Sequence, residues 1–331
     1  MSSPLRVGVV GVAHVHAPSF VHGFLNHPEA TVVGVWDHEG PRGVEFASAR
    51  DLAFLPDLAD LLDQVDAVVI CSENMRHVGQ IQAAVAAGKH VLCEKPVAPT
   101  PEHIAALAGI ETRLGQVLMT AFPCPFSPAY KSLEAKVRQG EIGKVLAVCA
   151  TNQGRCPFGW FVDAAESGGG AMVDHVVHVA DLLRRLLGQD PVRVQAQTGS
   201  NLYGQSWDDT AMLTLEYADG VFATLDSSWS KPNGYSTWGN VRLNVVGEKG
   251  VIEVDLFRTG VQVYGSGESA RHSHFGSGSD LDGLMVAEFV RACRAGDTPA
   301  VTLADGLAAS RVAVAGYQSV AQGGAAVGLR A

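Results

Sequence analysis

The sequence predicts an α/β N-terminal domain built on a doubly wound parallel sheet, followed by an α+β domain with a large open, mostly antiparallel sheet. Three observations lead there. The first 120 residues alternate short continuous apolar runs with helix-like segments, the pattern of strands covered on both faces by crossover helices. After "AFPCPFSP" (121–128), with three prolines, the runs lengthen and alternate apolar with polar residues, the period of half-buried strands. The chain has 331 residues, more than one ordinary core accommodates, and divides into domains at 1–122 and 123–331.

In order, "RVGVVGV" (6–12) is the first strand, and Pro18 favours a helix starting near Ala17. "TVVGVWD" (31–37) is the second strand, followed by a helix near 41–50 and a weak strand at "LAFLP". "LADLLDQV" reads as helix, "DAVVICS" (66–72) as strand, 76–88 as helix and "HVLCEKP" (90–96) as strand. A helix over 101–115 and a strand over 116–122 complete the series, which is Rossmann-like. The second domain opens with a helix over 129–140. Seven alternating strands follow, from "GKVLAVCATNQG" to "GVQVYG", several separated by turns such as "ADG" and "EKG". The Gly/Ser/His-rich segment 265–280 reads as a surface loop, and helices are expected at 281–295 and 303–321.

Composition narrows the function. Hydrophobic residues make up 47% and charged residues 18%, an ordinary globular balance. A formal net charge of −10 without Lys/Arg clusters argues against nucleic acid and anionic membranes as partners. The N-terminus lacks the apolar run of a signal peptide or anchor, so a cytoplasmic protein is expected. Six scattered cysteines form no CxxC pair and suit reduced, mostly buried thiols.

The first strand–helix turn reads Gly8-Val-Val-Gly11-Val-Ala13-His14-Val-His16. A dinucleotide fingerprint asks for glycine at three positions, and only Gly11 is in register, with Ala13 and His16 at the others. Asp37 closes the second strand at about the ~20-residue spacing of the fingerprint's ribose-binding carboxylate. Such a carboxylate would repel a 2′-phosphate, which favours NAD over NADP, although Arg42 lies close by. His14 and His16 fall in the loop that wraps the pyrophosphate. Either they contact cofactor or substrate, with at least one lining the interdomain cleft, or they are two solvated loop histidines.

The stretch "GKHVLCEKPVA" (88–98), with Glu94-Lys95-Pro96 after an apolar strand, resembles the Gfo/Idh/MocA family of NAD(P)-dependent oxidoreductases. "VVICSENMRHVGQIQAAVAAGKHV" is similar to that family's nucleotide loop and helix, placing Ser72, Asn74 and His77 on matching positions, while Glu73 departs from the usual proline. "SGGGAMVDHVVHVADLL" resembles its second signature, a glycine run, then Asp174, then His178. The resemblance spans nearly the whole chain. It implies a Rossmann domain plus an α+β domain whose open sheet often makes the oligomer interface. It also implies Lys95 in the active site with Asp174 and His178 as partners. A one-sided open sheet this long would expose a large apolar patch, so a homodimer or homotetramer through residues of roughly 190–260 is expected.

On a helix over 171–187, Asp174, His178, Asp181 and Arg185 share one stripe, with His175 at its margin. One reading is a solvated face. Another is a metal site through His175 and His178, but no HExxH-type spacing supports it and no metal is expected. The third is a proton relay, with His178 as base, Asp174 orienting it and Lys95 holding the substrate oxygen. Gly168-Gly169-Gly170 would let the chain approach a ligand closely. Trp160, Asp163, His175 and Trp229 are further substrate candidates, with Lys231 beside Trp229.

The sequence therefore points to an NAD-dependent dehydrogenase of a sugar, polyol or sugar derivative, a small-molecule substrate. Two alternatives remain open: a redox-neutral glycoside-cleaving enzyme with transient oxidation and re-reduction, and a non-catalytic NAD-sensing protein.

Overall fold

A computed structural model describes residues 3–110, 114–235, 237–257, 260–264, 272–276 and 278–329. The chain divides into two compact units. The first comprises the residues up to Pro123 together with Gly159–Gly168 and Leu281–Arg311. The second comprises Cys124–Phe158, Gly169–Asp280 and the chain from Val312 onward.

In the first unit, β1 (Leu5–Val10), β2 (Ala30–Trp36), β3 (Ala53–Phe54), β4 (Ala67–Ile70), β5 (His90–Cys93) and β6 (Leu118–Thr120) form one six-stranded sheet. The order is β3-β2-β1-β4-β5-β6 and every pairing is parallel. Chain direction around the sheet reverses between β1 and β4, the switch point where this topology opens a crevice at the strands' carboxyl ends. Crossovers are α1 (Ala17–Leu25), α2 (Gly40–Ser48), α3 (Leu58–Gln64), α4 (His77–Ala86) and α5 (Pro101–Ala108). Their starts follow local chemistry: Asp57 caps α3 by accepting from Ala59 N at 2.8 Å, and Thr100 precedes Pro101 and caps α5. Val7, Val9, Val68, Val69, Ile70 and Leu92 are fully buried, which explains why these strands read as unbroken apolar runs.

In the second unit, α6 (Pro128–Arg138) leads into β7 (Val145–Gly154). The short α7 (Ala164–Ser167) belongs to the first unit, and the long α8 (Ala171–Leu187) returns to the second. The strands β8 (Arg193–Gly199), β9 (Thr210–Glu216), β10 (Phe222–Ser228), β11 (Gly239–Gly247) and β12 (Gly250–Asp255) follow. They join β7 and the terminal β15 (Val327–Gly328) in a seven-stranded sheet ordered β12-β11-β7-β10-β9-β8-β15. All its pairings are antiparallel except β10 with β7. Along β9 and β10, Ala211, Leu213, Leu215, Ala223 and Leu225 turn inward, while Met212 and Phe222 turn outward.

Two expectations change. The segment expected as a surface loop contains β14 (His272–Gly276), which pairs antiparallel with β13 (Gly260–Tyr264). That hairpin is a separate two-stranded sheet, so β13 is not a strand of the open sheet. Local Gly/Ser content gave no sign of the pairing, because the partner strand supplies the hydrogen bonds. The C-terminal helices α9 (Leu281–Ala295) and α10 (Leu303–Ala321) lie where expected. Among the described residues no helix is long and apolar enough to cross a membrane. Five of the six cysteines are buried and Cys149 is exposed.

Candidate active site

The turn between β1 and α1 is set by Gly11. Its φ is +74°, and a Cβ there would lie 2.6 Å from Cβ of Ser72, so only glycine fits between the ends of β1 and β4. Asp37, at the end of β2, reaches back to the turn. Its Oδ2 accepts from Val12 N at 2.8 Å, and its Oδ1 accepts from Glu39 N at 2.7 Å. Arg42 grips the same carboxylate through Nε at 3.1 Å and Nη2 at 2.8 Å, and donates through Nη1 to Glu73 Oε1 at 2.8 Å. Glu73, the departure from the family pattern, thus completes an Asp–Arg–Glu bridge between β2 and the loop after β4.

His14 and His16 are not solvated loop side chains. His14 is 2% exposed, with its ring centroid 5.2 Å from that of Phe161. The buried Glu94 receives both: its Oε1 is 3.2 Å from His14 Nδ1 and 2.8 Å from His16 Nδ1, while Oε2 accepts from Lys95 N at 2.9 Å. Burial alone would raise the Glu94 pKa, but the positive potential of His14, His16 and Lys95 outweighs it and holds the carboxyl well below the usual carboxylate range. For His16, burial disfavours the imidazolium, yet Glu94 prevails and raises the pKa above its ordinary value.

The residues that follow β4 and β5 are likewise buried and specifically held. Ser72 Oγ donates to Gln80 Oε1 at 2.7 Å, and Asn74 Nδ2 donates to Ser167 O at 2.9 Å. Asn74 Oδ1 is buried with no hydrogen-bond partner among the described residues. His77 Nδ1 lies 2.9 Å from Pro96 O, and burial lowers its pKa, favouring the neutral ring. Lys95 is 3% exposed, and the Lys95–Pro96 peptide is cis. The left-handed Gly11 turn, the buried carboxylate of Asp37 and the unmet Asn74 acceptor fit a dinucleotide. Gly8 packs under the sheet, where a Cβ would meet Leu61 at 3.0 Å, so its role is helix–strand packing.

In the second unit, α8 is buried on every side from Ala171 to Leu183. Of the three readings of this stripe, the solvated face does not hold: Asp174, His175, His178 and Asp181 are all buried polar groups. Asp181 accepts from Arg185 Nε at 3.0 and 3.1 Å. Asp174 Oδ2 accepts from the indole Nε1 of Trp229 at 3.0 Å and lies 3.2 Å from His175 Nε2. Burying such groups is costly unless each is paired, so a helix that places four of them inward does so for chemistry or for architecture.

The glycine run also has a different cause from the one expected. A Cβ on Gly169 would lie 2.3 Å from Tyr317 Oη, and one on Gly170 would lie 2.2 Å from Asp208 O. The close approach is to the protein's own chain. Asp208 caps α8 from outside, accepting from Gly170 N at 3.1 Å and Met172 N at 2.8 Å, and Tyr317 Oη donates to it at 2.9 Å. Burial raises the Asp208 pKa despite these bonds. Neither Asp208 nor Tyr317 was legible as part of the site, since both come from distant sequence; the one hint was a long helix whose preceding glycine has no side chain to cap it.

Of the remaining candidates, Trp160 donates from Nε1 to Ala13 O at 3.1 Å and stacks on Phe161 at 3.9 Å, so it covers the nucleotide turn. Asp163 caps α7 through Ala165 N at 2.9 Å. Lys231 sits over the Tyr235 ring at 4.3 Å. Among the described residues, two clusters bring three possible metal-ligand atoms within 4.8 Å of one another, His14/His16/Glu94 and His38/Glu39/Glu73. In both, protein hydrogen bonds or ion pairs already engage the carboxylates.

Comparison with known proteins agrees with this geometry. Residues 5–122 match the family described as "Oxidoreductase family, NAD-binding Rossmann fold", and residues 130–253 match the "GFO/IDH/MocA C-terminal domain". Inositol 2-dehydrogenase 1 of Saccharopolyspora erythraea is 30% identical over 94% of this chain and 92% of its own. The chain belongs to the Gfo/Idh/MocA family of oxidoreductases. The D-glucoside 3-dehydrogenase of Escherichia coli is 28% identical over 69% of this chain and 71% of its own. Among solved structures, GenD2 from gentamicin A biosynthesis, in complex with NAD, superposes with a TM-score of 0.86 at 25% identity, covering 100% of this chain and 98% of that one. As a member of this family, the chain carries an NAD(P)-binding Rossmann domain.

Proposed function

We propose that the protein is an NAD-dependent dehydrogenase oxidising a secondary hydroxyl of a sugar, cyclitol or glycoside. The observation that carries this is the buried Asp174–His175–His178 group on α8, in a chain of an oxidoreductase family. Burying these ionisable groups costs free energy that apolar residues at the same positions would avoid. The likeness to inositol and D-glucoside dehydrogenases supports a polyhydroxylated substrate.

Bound NAD supplies the hydride acceptor. The chain's own residues supply the rest. His178 takes the hydroxyl proton, because an imidazole titrates near neutrality and can both accept and return it. Asp174 provides the negative charge that favours the imidazolium on α8. The Lys95 ammonium donates to the substrate oxygen and stabilises negative charge developing on it. Asp37, already held by Arg42 and Val12 N, faces the nucleotide turn as a carboxylate that accepts ribose hydroxyls and repels a 2′-phosphate. NAD is therefore the expected cofactor over NADP.

The test is a panel of polyols, aldoses, cyclitols and glycosides screened for NADH absorbance. Net NADH formation from free substrate supports dehydrogenation. Its absence across the panel, with glycoside cleavage instead, would replace it with the redox-neutral reaction.

A further inference from the structure

Four aromatic side chains of the second unit form a continuous shelf that starts at Asp174 and ends in solvent. Trp229, 1% exposed, donates its indole N–H to Asp174 Oδ2 at 3.0 Å. Trp207 packs edge-on against Trp229 with centroids 5.5 Å apart, and Tyr203 lies 5.4 Å from Trp207. Phe158 meets Tyr203 edge-on at 5.4 Å and Trp207 at 6.5 Å. Exposure rises along the row, from the buried Trp229 through the half-buried Trp207 and Tyr203 to Phe158 at 50%.

The shelf is held in place. Asp209, fully buried, accepts from Leu202 N at 2.8 Å and Tyr203 N at 2.9 Å through one oxygen, which fixes the loop before β9. The Asp209 carbonyl in turn accepts from Trp229 N at 2.8 Å, so loop and shelf root are one unit. Phe158 has φ +55°, a left-handed backbone that costs a non-glycine residue energy and is kept where a side chain must point in one direction. Here that direction is onto Tyr203 and Trp207, not into the core. Single exposed aromatics are ordinary, but a pinned row leading to a buried carboxylate–imidazole pair has the composition of a ligand site: apolar ring faces with a few convergent polar groups.

We propose that this shelf is a second subsite, which binds a ring attached to the hydroxylated ring being oxidised. The inference rests on the dehydrogenase reading of Asp174 and deepens it: the substrate is a glycoside, not a free monosaccharide or cyclitol. The shared chemistry is a flat or C–H-rich ring face lying against aromatic faces, supplied by an aryl aglycone or by a second sugar.

The test uses calorimetric titration of the NADH-loaded protein with gluco-, galacto- and manno-configured methyl glycosides, 4-nitrophenyl glycosides and disaccharides. In at least one configuration, a ring-bearing ligand is expected to bind about tenfold or more tightly than its methyl glycoside. Phe158→Ala and Trp207→Ala should bring that ratio toward one, and Phe158→Tyr should retain it. A gain with nitrophenyl glycosides alone identifies an aryl aglycone, and a gain with disaccharides alone a second sugar. A smaller gain in every configuration, or a gain that survives both alanine variants, overturns the subsite. If polyols are oxidised while no ring-bearing ligand gains affinity, the subsite fails and the dehydrogenase stands. If ring-bearing ligands bind through Trp207 but none yields NADH, the subsite stands and the dehydrogenase fails.

Discussion

Arg42 holds Asp37 by two hydrogen bonds, Nε to Oδ2 at 3.1 Å and Nη2 to Oδ1 at 2.8 Å, so the cation beside the carboxylate proposed to bind the ribose is already committed. A 2′-phosphate would have to displace that pairing and would meet Asp37 and Glu73 as it did so. The wild-type kcat/KM is expected to favour NAD over NADP by about tenfold or more, equivalent to about 1.4 kcal/mol. Asp37→Ser removes the repelling carboxylate and releases Arg42 Nε and Nη2, while Nη1 stays on Glu73, and should shrink or invert the ratio. A wild-type preference for NADP would refute the assignment.

His178→Ala and Lys95→Ala should each lower kcat by about 10²-fold or more, as loss of a general base or of an electrostatic partner does. Circular dichroism and NAD titration should show the fold and cofactor binding of His178→Ala retained. Near wild-type turnover in both variants on a true substrate would end the relay proposal.

The Glu94–His16 pair makes a pH prediction. The His16 pKa is raised in the folded protein above its ordinary 6.5. Its stabilisation is therefore complete below 6.5 and is lost as pH rises through the raised value. Glu94 is depressed from 4.5, so its contribution is present above 4.5 and is lost only as pH falls through the lower value. Thermal melts of the wild type should drop on going from pH 6.5 towards 9. His16→Ala should melt lower at pH 6.5 and show a shallower decline. Parallel curves would mean the pair adds no pH-linked stability.

Gly170→Ala should destabilise the protein by about 1–3 kcal/mol in urea unfolding, the usual cost of forcing extra atoms into a packed site. The reason is the 2.2 Å approach of the added Cβ to Asp208 O. Gly79→Ala is the control: its Cβ meets open space on α4, and alanine there should be neutral or stabilising by up to about 1 kcal/mol. Equal effects at the two positions would show that the Gly170–Asp208 contact relaxes freely.

A homodimer or homotetramer through the open sheet is expected from the outward Met212, Phe222, Val246 and Val251, which are 59, 50, 38 and 55% exposed. Light scattering should give a multimer mass, and Met212→Asp with Phe222→Asp should reduce it. A concentration-independent monomer of the wild type would rule the interface out.

Much of this was legible in the sequence. Strand and helix identity follow from periods of two and 3.6 residues, because burial on one face or two imposes them locally. Gly11, Asp37, Glu94-Lys95-Pro96 and the Asp174–His178 spacing were likewise visible, since each sits at a strand end or on one helix. The tertiary structure decided what those residues touch. It buried the polar stripe of α8, gave Asp174 to Trp229 and His175, and turned the glycine run towards Tyr317 and Asp208. It also joined His14 and His16 to Glu94, 78 positions from His16 in the chain. Phe158, Tyr203, Trp207 and Trp229 likewise become a row only when the ends of β7 and β10 and the loop before β9 come together. Sequence periodicity records the face a residue turns inward; the partner it finds there depends on strand order and loop path, which local propensity does not encode.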